Sequence, residues 1–307
     1  MARRATAVSL ACLLAAGLMP PLRPGAALAA GCAAPAAARM PRSNSPHSNP
    51  PHSNSPQPRS PRPGDVAKVM AELDERLAGM TPPTQIIVPT RVHLIIRDER
   101  QVTDDTVRAQ IGTLNSAYGG AFGGVDTGVR FRLDGIDVKE DAEWYADPVG
   151  HEKAMKQALH QGGADTLNLY IARLDELMLG FASYPYWYAG APELDGVVID
   201  WRSLPGGTRG NYNLGFTGVH EIGHWLGLFH TFENGCESPG DGIEDTPAEA
   251  RPSEACQPGK DTCSRPGADP SHNFMDYAHD GCMSEFTPGQ AVRMHEMWAV
   301  YRNTAAA

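Results

Sequence analysis

Apolar and polar positions recur at two periods along this chain. "DVAKVMAELDERLAGM" (65–80) places apolar side chains at 66, 69, 70, 73, 77 and 80, a helical spacing behind Asp65 as cap. "QIIVPTRVHLII" (85–96) is rich in β-formers and predicts a strand. "TDDTVRAQIGTLNSAY" (103–118) is a capped amphipathic helix, and "VRFRLDGIDV" (129–138) alternates like a strand. "EKAMKQALHQ" (152–161) predicts a helix, and "TLNLYIA" (166–172) a strand. "LGFASYP" (179–185) is a candidate edge strand, and "GVVID" (196–200) a short buried one. A helix follows over "TGVHEIGHWLGLF". Residues 231–282 are loop-rich, and "TPGQAVRMHEMWAVY" (287–301) closes the chain as a helix. Strands alternating with helices, then an irregular region, predict an α/β domain with a smaller second lobe.

The N-terminal part follows neither period. Arg3 and Arg4 precede "ATAVSLACLLAAGLM", too short to span a bilayer but suited to a signal-peptide core, with "ALA" at 27–29 as a cleavage site after Ala29. "AAGC" (29–32) is a poor lipoprotein signal, and lipidation of Cys32 is the alternative to a free secreted form. "RSNSPHSNPPHSNSPQPRSPRPG" (42–64) repeats "PHSN" and has no apolar period. It predicts an extended tether, with His47 and His52 as weak metal donors at most. The expected layout is a signal peptide (1–29), a linker with a candidate pro-segment (30–83) and a catalytic-type domain (84–307).

Charge sharpens the picture. Residues 1–63 hold seven arginines and no acid, so the remainder carries 19 of the 26 basic and all 36 acidic residues, a net −17. That argues against nucleic acid or an anionic membrane as partner. Four cysteines, Cys236, Cys256, Cys263 and Cys282, fall in the C-terminal quarter. They allow three pairings, and a four-thiolate zinc site is the rival. No C-x2-C pair is present, so two disulfides in an exported protein fit better.

"HEIGHWLGLFH" (220–230) carries the chemistry. His220 and His224 share one helix face about a turn apart, where two neutral imidazoles can hold one zinc ion. Glu221 can reach a metal-polarised water without ligating, take its proton and pass it to a leaving amine. Gly227 can adopt a positive φ and end the helix, so that His230 turns back as third ligand. The competing reading is three core histidines on an apolar helix. The extended H-E-x-x-H-x-x-G-x-x-H pattern fixes five positions and favours the metal.

At these residues the chain resembles the metzincin metalloproteases. Their methionine turn is matched by "NFMDY", with Met275 45 residues beyond His230 and Tyr277 two positions later. The resemblance implies that Met275 lies under the ligands and that Tyr277 donates to the oxyanion of a tetrahedral intermediate. Ordinary core packing and a structural hydrogen bond are the alternatives. Within the metzincins, "HEIGHWLGLFHTF", "GDGIEDTP" and "NFMDYAHDGCMSEFTPGQAVRM" are similar to the pappalysin family in its bacterial secreted branch, over residues 84–303. That implies a two-lobed fold: an upper lobe (84–230) with a twisted mixed sheet and active-site helix, and a lower lobe (231–307) with the methionine turn and a C-terminal helix. It implies that "LGFASYP" receives an extended substrate antiparallel, and that Cys236 pairs with Cys263 and Cys256 with Cys282. It also implies a secreted zinc endopeptidase acting on protein or peptide substrates, with no stable membrane association unless Cys32 is lipidated. A thiolate of Cys32 capping the zinc is a further expectation. The alternative function is a non-catalytic peptide-binding or adhesive exoprotein, which intact Glu221 argues against.

Two smaller expectations remain. Asp241, Glu244, Asp245 and the Thr246 hydroxyl lie within six residues on a glycine-containing loop, a donor set that suits calcium. The calcium sites of the similar family add to this, against an acidic surface turn. "AHDGC" (278–282) follows the methionine turn, where metzincins line the S1′ pocket, and Asp280 is its one permanent anion. A carboxylate there favours Arg, then Lys, at P1′. Otherwise Asp280 points to solvent or caps the turn.

Overall fold

The structure, a computed structural model, describes residues 65–264 and 267–303. The expected signal peptide, the tether with His47 and His52, and Cys32 lie outside these residues. Among the described residues no helix is long and apolar enough to cross a membrane.

Five strands form one sheet: β1 (Ile86–Ile96), β2 (Val129–Glu140), β3 (Leu167–Ala172), β4 (Gly180–Ala182) and β5 (Val197–Asp200). Their order is β2-β1-β3-β5-β4. All neighbours are parallel except β4, which pairs antiparallel with β5 at the edge. The inner strands β3 and β5 are buried at every residue, as parallel strands covered on both faces must be. On one face, apolar side chains of α2 (Asp104–Tyr118) and α5 (Phe216–Trp225) meet Leu169, Ile171, Val197 and Ile199. On the other, Met155 of α4 (Glu152–Leu159) meets Ile95, Tyr170, Phe181 and Val198. Thr103 caps α2, its hydroxyl accepting the Thr106 amide. A short helix α3 (Ala142–Ala146), capped by Asp141, was not visible in the periodicity; five residues are too few to show one.

The first-face core continues past α5 to Phe274, Met275 and Phe286, so the sheet and the loop-rich region share one apolar interior. The closing helix α6 (Pro288–Met297) starts at a capping box of Thr287 and Gln290. It passes into a wider π-type turn, Trp298–Arg302, where a continuous helix to 301 was expected.

A second difference concerns the boundary at residue 83. Helix α1 (Asp65–Leu77) buries Val66, Val69 and Leu73 against Tyr184, Phe229 and Met297. The boundary therefore separates elements that pack together. Helical periodicity located α1, but the surface that receives it comes from residues more than a hundred positions away.

The loop-rich segment carries two disulfides, Cys236–Cys263 and Cys256–Cys282, the pairing that the resemblance implied. They close loops of 27 and 26 residues, each worth about 3 kcal/mol by chain-entropy estimates. Two acids of the calcium expectation take part in hydrogen bonds in this segment. Asp241 is buried and accepts from the Thr246 hydroxyl and the Ile243 amide, and Asp245 accepts from Thr287 Oγ1 and the Gly289 amide at the start of α6. Asp241, Glu244 and Asp245 do not come together at metal-ligand distance. Asp241 and Asp245 serve as hydrogen-bond acceptors that close the loop and cap a helix.

Candidate active site

The site is built on α5 and on the chain that turns back from it. The helix stops at Trp225, Leu226 caps it, and Gly227 sits at φ +97°, a region L side chains rarely adopt. A Cβ on Gly227 would also fall 2.4 Å from Met297 Cγ. The reversal returns His230 to the face holding His220 and His224. The Nε2 atoms of His220 and His230 each lie 3.1 Å from His224 Nε2. Among the described residues these three form the one cluster of His, Cys, Asp or Glu able to share a metal ion. Nitrogens bound to one tetrahedral zinc at the usual Zn–N length are about 3.3 Å apart, so the donor set fits.

The outer nitrogens explain which atoms converge. His220 Nδ1 lies 2.7 Å from the Phe274 carbonyl and His224 Nδ1 2.8 Å from the Leu228 carbonyl. Carbonyls only accept, so both Nδ1 atoms carry the proton and both Nε2 lone pairs face inward. Tyr184 Oη is 3.0 Å from His224 Nδ1, and Glu233 Oε2 is 3.6 Å from His230 Nδ1. Three lone pairs aimed at one point repel without a cation between them. Burial holds the His220 imidazole down at about 4. Burial and the neighbouring imidazoles hold His224 well below the usual range, and burial with the charge of His220 does so for His230. All three are neutral at physiological pH, the state a metal requires.

Glu221 projects into the same cleft as the three histidines, below the rim formed by β4. Its side chain runs so close to that strand that a Cβ on Gly180 would lie 2.6 Å from Glu221 Cγ. Burial pushes its carboxyl up to about 8, a shift that a bound cation opposes. Met275 is fully buried with its thioether against Gly223 of α5. Tyr277 places its hydroxyl 3.1 Å from His230 Nε2 and leaves about half its surface open to the cleft. Met275 thus packs beneath the helix that carries His220 and His224, and Tyr277 stands beside His230.

Asp280 lines the cleft and is 1 % exposed. Its Oδ2 accepts the Leu214 amide at 2.7 Å, while Oδ1 has no hydrogen-bond partner. Burial pushes its carboxyl up to about 6, opposed by the Leu214 and Phe216 amides. Both readings of Asp280 thus have a basis: one oxygen braces the approach to α5, and the other is unused in the cleft wall.

Several contributors escaped the sequence reading. The carbonyls of Phe274 and Leu228 have no sequence signature. Tyr184 approaches the ligands only through the tertiary fold, and Glu233 through the turn that follows His230. Thr217, one turn before His220 on the same face of α5, could have been found from helical spacing alone.

Comparison with known proteins agrees with this geometry. Residues 163–299 match the peptidase M43 family model, described as pregnancy-associated plasma protein-A. An extracellular metalloprotease of Verticillium alfalfae is 41 % identical over 240 residues, covering 76 % of this chain and 84 % of the relative. One of Neurospora crassa is 40 % identical over 257 residues, covering 78 % and 86 %. Mature mirolysin of Tannerella forsythia, solved with a cleaved peptide, superposes with a TM-score of 0.59 at 25 % identity, over 72 % of this chain and 97 % of that one. A promirolysin variant gives a TM-score of 0.68 at 24 % identity, over 78 % and 89 %, a likeness of fold. With the histidine cluster, the methionine turn and the mixed sheet in place, the chain belongs to the peptidase M43, or pappalysin, family of metalloproteases.

Proposed function

We propose that this protein is a secreted zinc endopeptidase that cleaves extracellular proteins or peptides, preferring Arg and then Lys at P1′. The observation that carries the reading is the convergence of three neutral Nε2 atoms beside a buried, non-ligating carboxylate in one open cleft. His220, His224 and His230 would hold the ion. When bound, zinc supplies Lewis acidity toward water and toward the scissile carbonyl. Glu221 accepts the proton of the attacking water and delivers it to the departing amine. The Tyr277 hydroxyl donates to the developing oxyanion. β4 is an edge strand on the cleft, so an extended substrate can pair with it antiparallel. The peptide bound to mirolysin and the extracellular names of the relatives support the substrate class and location. The calcium expectation at Asp241, Glu244, Asp245 and Thr246 rests on the family resemblance and the donor set alone. An adhesive or peptide-binding role without catalysis gives Glu221 no task.

The P1′ preference rests on Asp280. Its unpartnered oxygen in a desolvated wall favours a cationic side chain. Cleavage sites in a peptide library, read by mass spectrometry, should be enriched in Arg and Lys just after the scissile bond; enrichment of Leu or Phe there contradicts the proposal. Asp280→Ala should lower the Arg-to-Leu ratio of kcat/KM by roughly tenfold to a hundredfold. The preference should also depend on pH. The Asp280 carboxyl is raised to about 6, so it is charged above that value and progressively neutral below it. The Arg-to-Leu ratio should therefore be highest near neutral pH and decline as pH falls through about 6. A ratio constant from about pH 8 to about pH 5 contradicts this role.

A further inference from the structure

We infer that helix α1 is a working part of the metal site: through Tyr184 it positions His224, so the strength of zinc binding depends on a helix that precedes the whole sheet; this rests on the zinc reading above. His224 is the middle donor of the three, with the Nε2 atoms of His220 and His230 each 3.1 Å from its own. Its ring is held from behind at Nδ1, which donates to the Leu228 carbonyl. The Tyr184 oxygen lies 3.0 Å from the same Nδ1 and accepts the other branch of that N–H. The carbonyl belongs to the turn that leaves α5, and the phenol to the segment that leaves β4. Two acceptors from separate elements fix the plane of the imidazole, and that plane decides where the Nε2 lone pair points.

Tyr184 is itself held by packing. Pro185 confines it to extended backbone, at φ −84° and ψ 152°. Its buried ring stacks on Phe229 at 5.4 Å and meets Tyr186 and Trp187 at 5.4 and 5.1 Å. Helix α1 completes this enclosure, because Val66, Val69 and Leu73 share one apolar cluster with Tyr184, Phe229 and Met297. A helix of 13 residues is marginal by itself in water, so α1 depends on that contact as much as Tyr184 does. Polar contacts at its far end reinforce the docking: Arg76 lies 4.4 Å over the Tyr301 ring, and the Tyr301 hydroxyl donates to Glu72 at 3.2 Å. Loosening α1 opens the Tyr184 ring to water and frees the oxygen on which the His224 imidazole leans.

The test measures zinc affinity of the full-length protein by competition with a chromophoric chelator, with a thermal melt on each sample. The proteins are the wild type, Tyr184→Phe, Leu73→Ala, the double variant, Met155→Ala and His224→Ala. Tyr184→Phe keeps the ring and its stacking and removes only the oxygen, and should weaken zinc binding about tenfold. Leu73→Ala loosens α1 and should weaken binding in the wild-type background but add nothing to Tyr184→Phe, because both act through the same hydrogen bond. Met155→Ala leaves a comparable hole on the other face of the sheet, and should lower the melting temperature without moving zinc affinity. Wild-type affinity in Tyr184→Phe overturns the inference, whether or not Leu73→Ala folds. A Leu73→Ala effect that persists undiminished in the double variant, or that is no larger than the effect of Met155→Ala, also overturns it. Zinc held by His224→Ala as tightly as by the wild type overturns the zinc reading itself.

Discussion

Glu221→Gln should keep the fold and the metal and lose peptide hydrolysis by about 10²- to 10⁴-fold, the range that general acid–base catalysis contributes. The substitution is nearly isosteric and removes one property, the capacity to take and return a proton. Glu221 is not one of the converging nitrogen ligands, so metal content should match the wild type. Its side chain fits against Gly180 with no room to spare, and Gln preserves that fit where a larger group would not. Turnover, metal stoichiometry and a thermal melt on the same sample check the prediction. A variant that retains a tenth of wild-type activity would show that another group takes the proton.

The second large effect lies on the far side of the active-site helix. Arg302 is completely buried, with its guanidinium 3.6 Å from the Trp225 ring centroid. It donates to the carbonyls of Trp225 and Ala164 at 2.8 and 2.9 Å and to both carboxylate oxygens of Asp195, at 3.1 and 3.2 Å. Asp195 also accepts from Trp225 Nε1 and from Ser183 Oγ. One buried ion pair thus joins the C-terminal turn, the end of α5 and the loop leaving β4. Arg302→Met should destabilise the fold by about 3–5 kcal/mol, because it leaves a buried carboxylate and two carbonyls unpaired. The double variant Arg302→Met with Asp195→Leu should recover part of that loss, since removing both charges costs less than stranding one. Denaturant midpoints of the three proteins decide it. A single-variant loss under about 1 kcal/mol, with no recovery in the double, contradicts the network's importance.

This pair also shows where sequence stops being informative. Arg302 and Asp195 are 107 residues apart, and nothing local marks either as buried. The histidine pattern is different. Its chemistry depends on helical spacing and one glycine turn, both written into eleven consecutive residues, so it was legible at once. The inner strands were also accessible, because β3 and β5 are mostly apolar, as buried parallel strands are. The hydrogen bonds of the acids of 241–245 are not announced by their spacing. Asp245 caps a helix that begins more than forty residues later. Helix α1 was legible as a helix but not as part of the domain, since its partners Tyr184, Phe229 and Met297 are assembled only by folding. Backbone carbonyls that orient His220 and His224 are invisible to any residue pattern.

The central claim, a zinc-dependent peptidase centred on His220, His224 and His230, is tested most directly by one titration. The purified protein is stripped with a chelator and zinc is added back, with bound metal and hydrolysis of an Arg-P1′ peptide followed together. The account predicts no hydrolysis in the stripped protein and recovery in proportion to zinc, complete at one ion per chain. It also predicts neither tight zinc binding nor recovery in His224→Ala. Hydrolysis that persists without metal, or zinc that binds fully to His224→Ala, would contradict it.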